Sequence, residues 1–426
     1  MDAYKFLLDL ALILLSTKLL GLLTKKFHMP QVVGALLAGL LLGPACLNII
    51  TQTDYIHSTA EIGVIILMFC AGMETDIGEL KRSGKASFVI ALMGVVLPLI
   101  GGYAVGKIFI QPGRMEAATM SSATLQSIFI GVILTATSVS ITVETLKELG
   151  KLKTRSGNAI LGAAIIDDII GIVALTIITS MADKSVQIGI VLLKIALFFV
   201  FAIVVGLIFH KVYGIWSEKS ERGLHRHVIV AFVFCLLLSY IAERYFGVAD
   251  ITGAFIAGLI ISTTQKSQYL ASKFDVLSYL YLSPIFFASI GLSVNLPGMN
   301  GIVIGFAVVL VVVAVATKVI GCGLGAKFCH YKNYQALRIG VGMISRGEVA
   351  LIVASKGQSL GLLSASCLGP VVLVVVITTI ITPILLKPVF KFGVSKPANA
   401  ETMIPENTGF SSNYEQIDDY RKEMKK

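Results

Sequence analysis

The sequence predicts an all-α polytopic membrane protein, and two observations support this prediction. Of its 426 residues, 56% are hydrophobic and only 14% are charged, whereas soluble domains carry about 25% charged residues. Apolar stretches recur along residues 1–392, and many reach the roughly 20 residues that a helix needs to cross a hydrocarbon core. Because a helix satisfies its own backbone hydrogen bonds in lipid, we expect these stretches to be helical spans.

In chain order, the apolar stretches predict about thirteen spans. Each is long enough, or nearly so, to cross the hydrocarbon core of a bilayer. They cover residues 4–23, 30–50, 58–74, 85–110, 118–146, 156–181, 187–213, 227–246, 248–263, 275–295, 300–328, 334–358 and 364–392.

The loops between these spans alternate in charge. One set is basic and contains Lys25, Lys26, Lys81, Arg82, Lys85, Lys147, Lys151, Lys153, Arg155, Lys211, Lys219, Arg222, Arg226, Lys266, Lys273, Lys327 and Lys332. The other set holds little more than Arg114, Lys184, Arg244 and Lys356. Because basic loops remain in the cytoplasm, we expect the N-terminus outside and the C-terminus in the cytoplasm, in a cell inner membrane.

Residues 1–392 form the predicted membrane domain, and residues 393–426 are polar and lack periodicity. We interpret this last stretch as a polar cytoplasmic tail. It contains no strand–GxGxxG–helix pattern, so we expect no nucleotide-binding regulatory domain in this chain. The formal charge of +10 follows from the basic loops and indicates topology, so nucleic acid is not an expected partner. The six cysteines form no CxxC pair, which favours packing roles over metal binding.

Two of the predicted spans are interrupted by polar residues. "ILTATSVSITVETLKELGKL" has a polar knot at Thr135–Ser140, and "VGMISRGEVALIVASKGQSLGLL" has another at Ser345–Glu348. Both stretches finish with Leu-Gly, at Leu149–Gly150 and Leu360–Gly361, which the predicted topology puts on opposite membrane faces. Broken spans in two oppositely oriented halves are typical of inverted-repeat transporters.

Ionisable residues stand inside several of the apolar spans. They are Asp167 and Asp168 in "GAAIIDDIIGIVAL", Lys318 in "VVVAVATKVIGCGLG", Arg346 and Glu348 in "SRGEVA", and Glu74 and Asp76 near the end of a span. A charge at mid-membrane costs about 2.5–3.5 kcal/mol on insertion scales, so such groups face a partner or a cavity and are functional candidates. Glu74 and Asp76 are the exception, because they precede a basic loop and are interpreted as interfacial residues.

The adjacent carboxylates of Asp167 and Asp168 point about 100° apart on a helix, so they cannot share one environment. One can meet a fixed partner while the other faces a cavity, and Lys318 is the expected partner because it lies well inside a late span. A carboxylate held between burial, a like charge and an ammonium can take either a proton or a small hard cation. The two ligands then compete for one charge, which is the chemistry of exchange.

Polar residues at the two interruptions complete the predicted site. Thr137 and Ser138 offer oxygen ligands to a partly dehydrated cation, although the same hydroxyls also suit ordinary helix packing. A broken helix adds unpaired carbonyls and half-helix dipoles. Arg346 and Glu348 are placed to neutralise such helix ends, or to form an internal salt bridge with each other.

These residues resemble the monovalent cation:proton antiporters, in the bacterial sodium/proton exchanger branch with the two-aspartate motif, which is related to the potassium-efflux antiporters. The matching motifs are "LTATSVSIT" at 134–142, "IIDDIIGI" at 165–172, "SPIFFASIGLSVN" at 283–295, "ATKVIG" at 316–321 and "GMISRGEVALI" at 342–352. The resemblance implies two inverted six-helix repeats joined by a linking helix, with crossed broken helices, and a homodimer in lipid. It also implies an elevator-like cycle in which one part of the membrane domain moves against another.

The implied parts follow the span order. They are a dimerisation part of about 1–75 and 227–296, a core part of about 84–181 and 300–392, and a linker helix of about 187–213. By resemblance, Asp168 is the main carrier of cation and proton, Asp167 pairs with Lys318, and Thr137 and Ser138 lie at the binding site. No cofactor and no enzymatic activity are implied.

The expected function is exchange of Na+ or Li+ for H+ across a bacterial inner membrane. It is expected to be electrogenic, since relatives with a lysine in the position of Lys318 move more protons than sodium ions. Exchange of K+ stays open, as does a passive cation channel with the adjacent acids as its selectivity site. A proton-coupled symporter for organic solutes needs an aromatic-lined site, whereas Trp216 is predicted to lie in a loop. A membrane sensor that uses the fold without transport is the remaining alternative.

Overall fold

The computed structural model describes residues 4–27, 29–75, 77–111, 115, 122–182, 188–219, 224–264, 266–294, 301–359 and 361–391. Within them the chain is helical and contains no strand. The α-helices are α1 Lys5–Lys26, α2 Gln31–Leu42, α3 Asp54–Glu74, α4 Ile77–Phe109, α5 Ala123–Thr135, α6 Val139–Glu148, α7 Arg155–Ala182, α8 Ile188–Lys219, α9 Leu224–Ile241, α10 Asp250–Ser262, α11 Ser267–Leu277, α12 Ser283–Leu292, α13 Gly301–Phe328, α14 Asn333–Gly342, α15 Glu348–Ser359 and α16 Ala365–Lys391. The predicted tail, 393–426, lies outside the described residues.

Ten helical segments of the described residues are long and apolar enough to cross a membrane. The predicted all-α polytopic membrane fold is therefore confirmed. Two shorter apolar helices, α2 and α10, and the interrupted pair α14–α15 fall in the other predicted spans. The count of thirteen crossings and the inverted repeat stay predictions. The expected loop at Trp216 is wrong, because α8 continues to Lys219, beyond its predicted end at 213.

The helices pack in two groups, which we name by their central helices. In the α4 group, α4 lies against α5, α7 and α13, and α13 also contacts α14 and α16. In the α3 group, α3 lies against α10, α11 and α12, while α2 lies between α1 and α12. Helix α8 contacts α7 of the first group and α10 of the second. Helix α6 contacts α7 and α16 and is counted with the α4 group; the two groups meet where α6 packs against α2 and α3 and where α16 packs against α2.

Glycine permits the closest helix contacts inside the α3 group. A Cβ atom on Gly72 of α3 would overlap the carbonyl oxygen of Phe255, and one on Gly39 of α2 would overlap that of Ala288. Small residues at such crossings let backbones approach closely, which is how membrane helices gain packing without a hydrophobic driving force. The α3–α10 and α2–α12 contacts therefore depend on these glycines.

The two interrupted spans end in the same way. Helix α6 is followed by Gly150 with φ +63°, and α15 by Gly361 with φ +67°. In each case the amide of the residue after the glycine donates to a carbonyl five residues earlier, at 2.8 and 2.7 Å. Glycine adopts this left-handed cap without the steric penalty that other residues meet. The repeated Leu-Gly of the sequence is thus a repeated helix stop.

Candidate functional site

Both predicted interruptions are present, and they cross each other. The chain leaves helical conformation at Ala136–Ser138, between α5 and α6, and at Met343–Gly347, between α14 and α15. The Ser138 amide donates to the Ser345 carbonyl at 2.8 Å, and the Ser345 hydroxyl donates back to the Ser138 carbonyl at 2.7 Å. These bonds satisfy backbone groups that the breaks would otherwise leave unpaired in a buried place. We call this contact the crossing.

Other hydrogen bonds and one glycine hold the crossing together. The Thr142 hydroxyl of α6 donates to the Gly342 carbonyl at the end of α14, at 2.7 Å. A Cβ atom on Gly347 would lie 2.6 Å from the Ser138 Oγ. The two breaks therefore meet at a distance that only a glycine at position 347 permits.

A fully buried ion pair lies next to the crossing. Lys318 Nζ of α13 lies 3.0 and 3.1 Å from the two carboxylate oxygens of Asp167 on α7. The Thr137 hydroxyl donates to Asp167 Oδ2 at 2.6 Å. Asp167 is 2% exposed and Lys318 0%, so the pair is held by these direct contacts rather than by water. The structure thus brings Asp167, Lys318 and Thr137 together.

Asp168 lies in a different environment from its neighbour. It is half-buried, whereas Asp167 is buried. Along α7, residues 156–164 are all buried, whereas residues 165–175 are half-buried with the exception of Asp167. The packing of α7 therefore loosens from Ile165 onward, and Asp168 lies within the less tightly packed stretch. Ser138 lies in the first break, and its hydroxyl shares a 3.2 Å hydrogen bond with that of Ser140.

Arg346 is buried within the second break. Its Nη1 donates to the carbonyl of Ile344 at 2.9 Å and lies 3.4 Å from those of Met343 and Ser345, just past the end of α14. A cation near the C-terminal end of a helix compensates the partial negative charge of its carbonyls. Asp167 supplies the main opposite charge that acts on Arg346. Glu348 is the first residue of α15, and a contact between its side chain and Arg346 stays a prediction.

Gly94 of α4 is a site residue that the sequence analysis did not identify. A Cβ atom there would lie 2.5 Å from Cys322 Sγ, 3.6 Å from Lys318 Nζ and 3.9 Å from Asp167 Oδ1. Helix α4 thus forms the wall beside the ion pair. Glycines are common in membrane helices, so nothing in the local sequence distinguishes this one.

We expect Gly94→Ala to destabilise the protein by about 1–3 kcal/mol, the range typical of overpacking a tight contact. The added methyl group must displace the Cys322 thiol, which sits next to Lys318, so transport should fall as well. The matched control is Gly84→Ala on the same helix, where an added Cβ meets nothing within 4 Å. Apparent melting temperature in detergent measures the effect, and Cys322→Ala in the Gly94→Ala background should reverse it. Equal stability of the Gly94→Ala and Gly84→Ala variants would contradict the close packing of α4 against Cys322 and Lys318.

The fold and the site define a class: a polytopic helical membrane protein in which two broken spans cross beside a buried acid–lysine pair. The chain belongs to the sodium/hydrogen exchanger family, whose transmembrane model matches residues 11–392. This result confirms the resemblance that the sequence motifs indicated.

Two relatives and one solved structure illustrate the match. The chain is 39% identical over 397 residues to the Na(+)/H(+)-K(+) antiporter GerN of Bacillus cereus, covering 93% of this chain and 98% of that protein. It is 36% identical over 389 residues to a Na(+)/H(+) antiporter of Enterococcus hirae, covering 90% and 97%. The sodium proton antiporter MjNhaP1 of Methanocaldococcus jannaschii matches with a TM-score of 0.66 over 92% of this chain and 98% of that chain. At 19% identity, that match supports the fold alone.

Proposed function

We propose that the protein exchanges Na+ or Li+ for H+ across the cell inner membrane, with Asp168 as the carrier of both ions. The observation that carries the proposal is the acidic pair at the crossing. Lys318 and Thr137 engage Asp167 directly, while Asp168, turned about 100° away on α7, stands where the packing loosens. The Asp167 carboxylate thus has a structural role, and the Asp168 carboxylate is placed to exchange a proton for a cation.

The charges around Asp168 explain why its ligands would exclude each other. Asp167, Lys318 and Arg346 are buried and together carry a net charge of +1 if all three are ionised. An ionised Asp168 brings the sum to zero, and either a proton or one monovalent cation then adds the same single charge. Because uncompensated buried charge is costly, holding both ligands at once is disfavoured. Competition of this kind couples the two ions.

The crossing would supply the remaining ligands for the cation. Monovalent and other hard cations prefer oxygen donors, and Thr137, Ser138 and the carbonyls of the extended stretch Ala136–Ser138 present them within the first break. Such half-helix ends are where transporters of this architecture bind ions.

The two helix groups support an elevator-type cycle. The α4 group would be the moving core of about 84–181 and 300–392, and the α3 group the dimerisation part of about 1–75 and 227–296. Helix α8, which covers the predicted linker 187–213, contacts both. Exposed leucines on α1, such as Leu15, Leu19 and Leu22, suit contact with lipid or with a second copy in a homodimer. The basic loops would face the cytoplasm, so the N-terminus would be outside and the C-terminus inside.

The ion pair also offers a source of net charge movement. A cation that reached Asp167 would compete with Lys318 for the same two oxygens. Loss of the Lys318 proton would then release a second H+ for one cation. Each unbalanced charge couples to about 2.3 kcal/mol per 100 mV, so the membrane potential would drive the exchange even without a pH gradient.

Purified protein in sealed liposomes tests this function. Vesicles loaded with Na+ and diluted into Na+-free medium should acidify inside as Na+ leaves, because the exit of each cation brings in protons. An interior-negative potential, set by K+ and valinomycin, should speed this acidification if more protons enter than Na+ ions leave. Acidification that appears only after a separate counter-ion pathway is added would identify a channel, and none with any alkali cation would refute the proposal.

K+ is a second candidate cargo. The printed name of the Bacillus cereus relative includes K+ beside Na+, and that relative aligns with nearly the whole chain. The same vesicles loaded with K+ and used without valinomycin discriminate between the two. Acidification with K+ equal to that with Na+ would make this a dual-cation exchanger, whereas acidification with Na+ and Li+ alone would exclude K+.

A further inference from the structure

A second charged cluster joins the two helix groups away from Asp168. Lys147, near the end of α6, lies 3.1 Å from Glu74 at the end of α3 and also contacts Asp275 of α11. All three side chains are partly buried. One lysine of the α4 group is thus held by two carboxylates of the α3 group.

The next residue of α6 makes another link of the same kind. Both carboxylate oxygens of Glu148 accept from the backbone N–H of Gln31, at 2.9 and 2.8 Å. Gln31 is the first residue of α2, and the first amides of a helix lack intrahelical partners and favour a negative charge. The end of α6 is therefore attached to three helices of the α3 group.

This cluster lies at the end of the molecule that carries the basic loops. It precedes Lys151 and Lys153 in the chain and lies close to the start of α7 at Arg155. Between the cluster and Asp167, buried side chains of α3, α6 and α7 form one continuous hydrophobic cluster, with Phe69, Ile141 and Ile160 among its members. The buried stretch of α7 ends at Ala164, and from Ile165 to Leu175 the helix is half-buried apart from Asp167. Packed side chains therefore close the path to Asp168 from the end of the molecule that carries the basic loops.

We propose that Lys147, Glu74, Asp275 and Glu148 form a latch that holds the cytoplasmic side of the ion pathway closed, so that the structure is the outward-facing conformation. The inference rests on the proposed function and on the basic loops facing the cytoplasm. Helix α6 starts directly after Ser138 of the crossing, so any movement of the crossing carries Lys147 and Glu148 with it. The latch must open each time that Asp168 turns to the cytoplasm. Lys147 is thereby a positioning residue for transport.

The partial burial of the latch suits a contact that opens in every cycle. Ion pairs that water reaches contribute little, whereas breaking a fully buried pair costs several times more. A few partly exposed links can therefore favour one conformation without trapping it. The Asp167–Lys318 pair, which is fully buried, lies wholly within the α4 group and would move as part of it.

The chain contains a natural reporter of latch opening. Cys70 lies one turn before Glu74 on α3, is 2% exposed, and is close enough to Lys147 for the ammonium to act electrostatically on its thiol. Separation of α6 from α3 would uncover it to the cytoplasm. Cys322 of α13 is also buried, but inside the α4 group, and should stay protected when the groups move as bodies.

The test is alkylation of Cys70 by a membrane-impermeant maleimide added to inside-out vesicles, quantified for each cysteine by mass spectrometry. Lys147→Gln should raise the rate at Cys70 about tenfold, the change expected when two ion pairs worth about 1.4 kcal/mol together are lost, and leave Cys322 protected. The matched control is Lys153→Gln, which removes an exposed lysine of the neighbouring loop and should label like the wild type. Equal labelling of the two variants would overturn the latch.

Two further variants keep the test decisive if Lys147→Gln does not fold. Glu74→Gln and Asp275→Asn should each raise Cys70 labelling, because each removes one of the two carboxylates that hold Lys147. Failure of folded Glu74→Gln and Asp275→Asn to alter labelling would reject the proposal.

Transport kinetics distinguish a latch from a contact that only stabilises the fold. With the latch weakened, the cytoplasmic-facing state is more populated, so the KM for Na+ should fall on the cytoplasmic side and rise on the outer side. An equal change on both sides, or none, would contradict a sided latch. Labelling does not require transport, so the two proposals can fail separately. Active exchange in Asp168→Asn would show that Asp168 is not the ion carrier, without bearing on the latch. Unchanged Cys70 labelling in the latch variants would reject the latch, without bearing on Asp168.

Discussion

Asp168→Asn is expected to reduce cation-driven proton movement to the level of protein-free vesicles while folded protein remains in the membrane. A carboxamide has nearly the size and shape of the carboxyl group, but it neither takes up a proton nor carries a negative charge in the working pH range. The site would then keep the net charge of +1 from Asp167, Lys318 and Arg346, so binding of a cation is opposed and proton coupling is lost. Sodium-dependent acidification of proteoliposomes measures the effect.

Two controls separate the loss of the carrier from damage to the fold. Asp9→Asn makes the same chemical change at a buried acid of α1, far along the chain from the crossing, and should leave exchange intact. The Asp168→Asn protein should elute from size-exclusion chromatography and melt as the wild type does. Near-normal exchange in this variant would mean that another group carries the ions.

Much of the fold can be predicted from local sequence, because a segment that crosses lipid must satisfy its own backbone hydrogen bonds and is therefore helical. Apolar length alone predicts helical spans, and the polar knots at Thr135–Ser140 and Ser345–Glu348 indicate where two of them stop. The structure narrows these breaks to Ala136–Ser138 and Met343–Gly347. Helix ends beyond the apolar stretch are less predictable, since Trp216 and the residues up to Lys219 continue α8 where hydropathy has already ended.

The sequence predicts those site residues whose charge is unusual within an apolar span. Asp167 and Lys318 stand out for that reason, and the structure brings them into contact, although their role in transport stays a proposal. Gly94 and the latch were missed. Lys147 fits a basic loop and was counted there, and its partners Glu74 and Asp275 lie far away in the chain, so only the tertiary structure brings the three together.

Lys318→Gln should give a large loss of stability, because it removes the cation that contacts both carboxylate oxygens of Asp167. Lys318 and Asp167 are both buried, and removing one member of such a pair leaves an uncompensated charge, at a cost of about 3–5 kcal/mol. Thr137 would remain as a hydrogen-bond donor to Asp167, which reduces the loss without replacing the charge. Because membrane proteins often unfold irreversibly, apparent melting temperatures should be compared at one scan rate.

A double-mutant cycle with Asp167→Asn shows whether the loss belongs to the pair. Each single variant leaves one member of the pair charged and without its partner, whereas Asp167→Asn with Lys318→Gln leaves neither member charged and places two amides where they can bond to each other. The double variant should therefore be more stable than either single one, a coupling that independent sites do not show. Additive losses would mean that the two residues stabilise the fold separately. If Lys318→Gln also makes exchange insensitive to the membrane potential, the ammonium that holds Asp167 also supplies the additional proton, because the carboxamide that replaces this ammonium cannot release one.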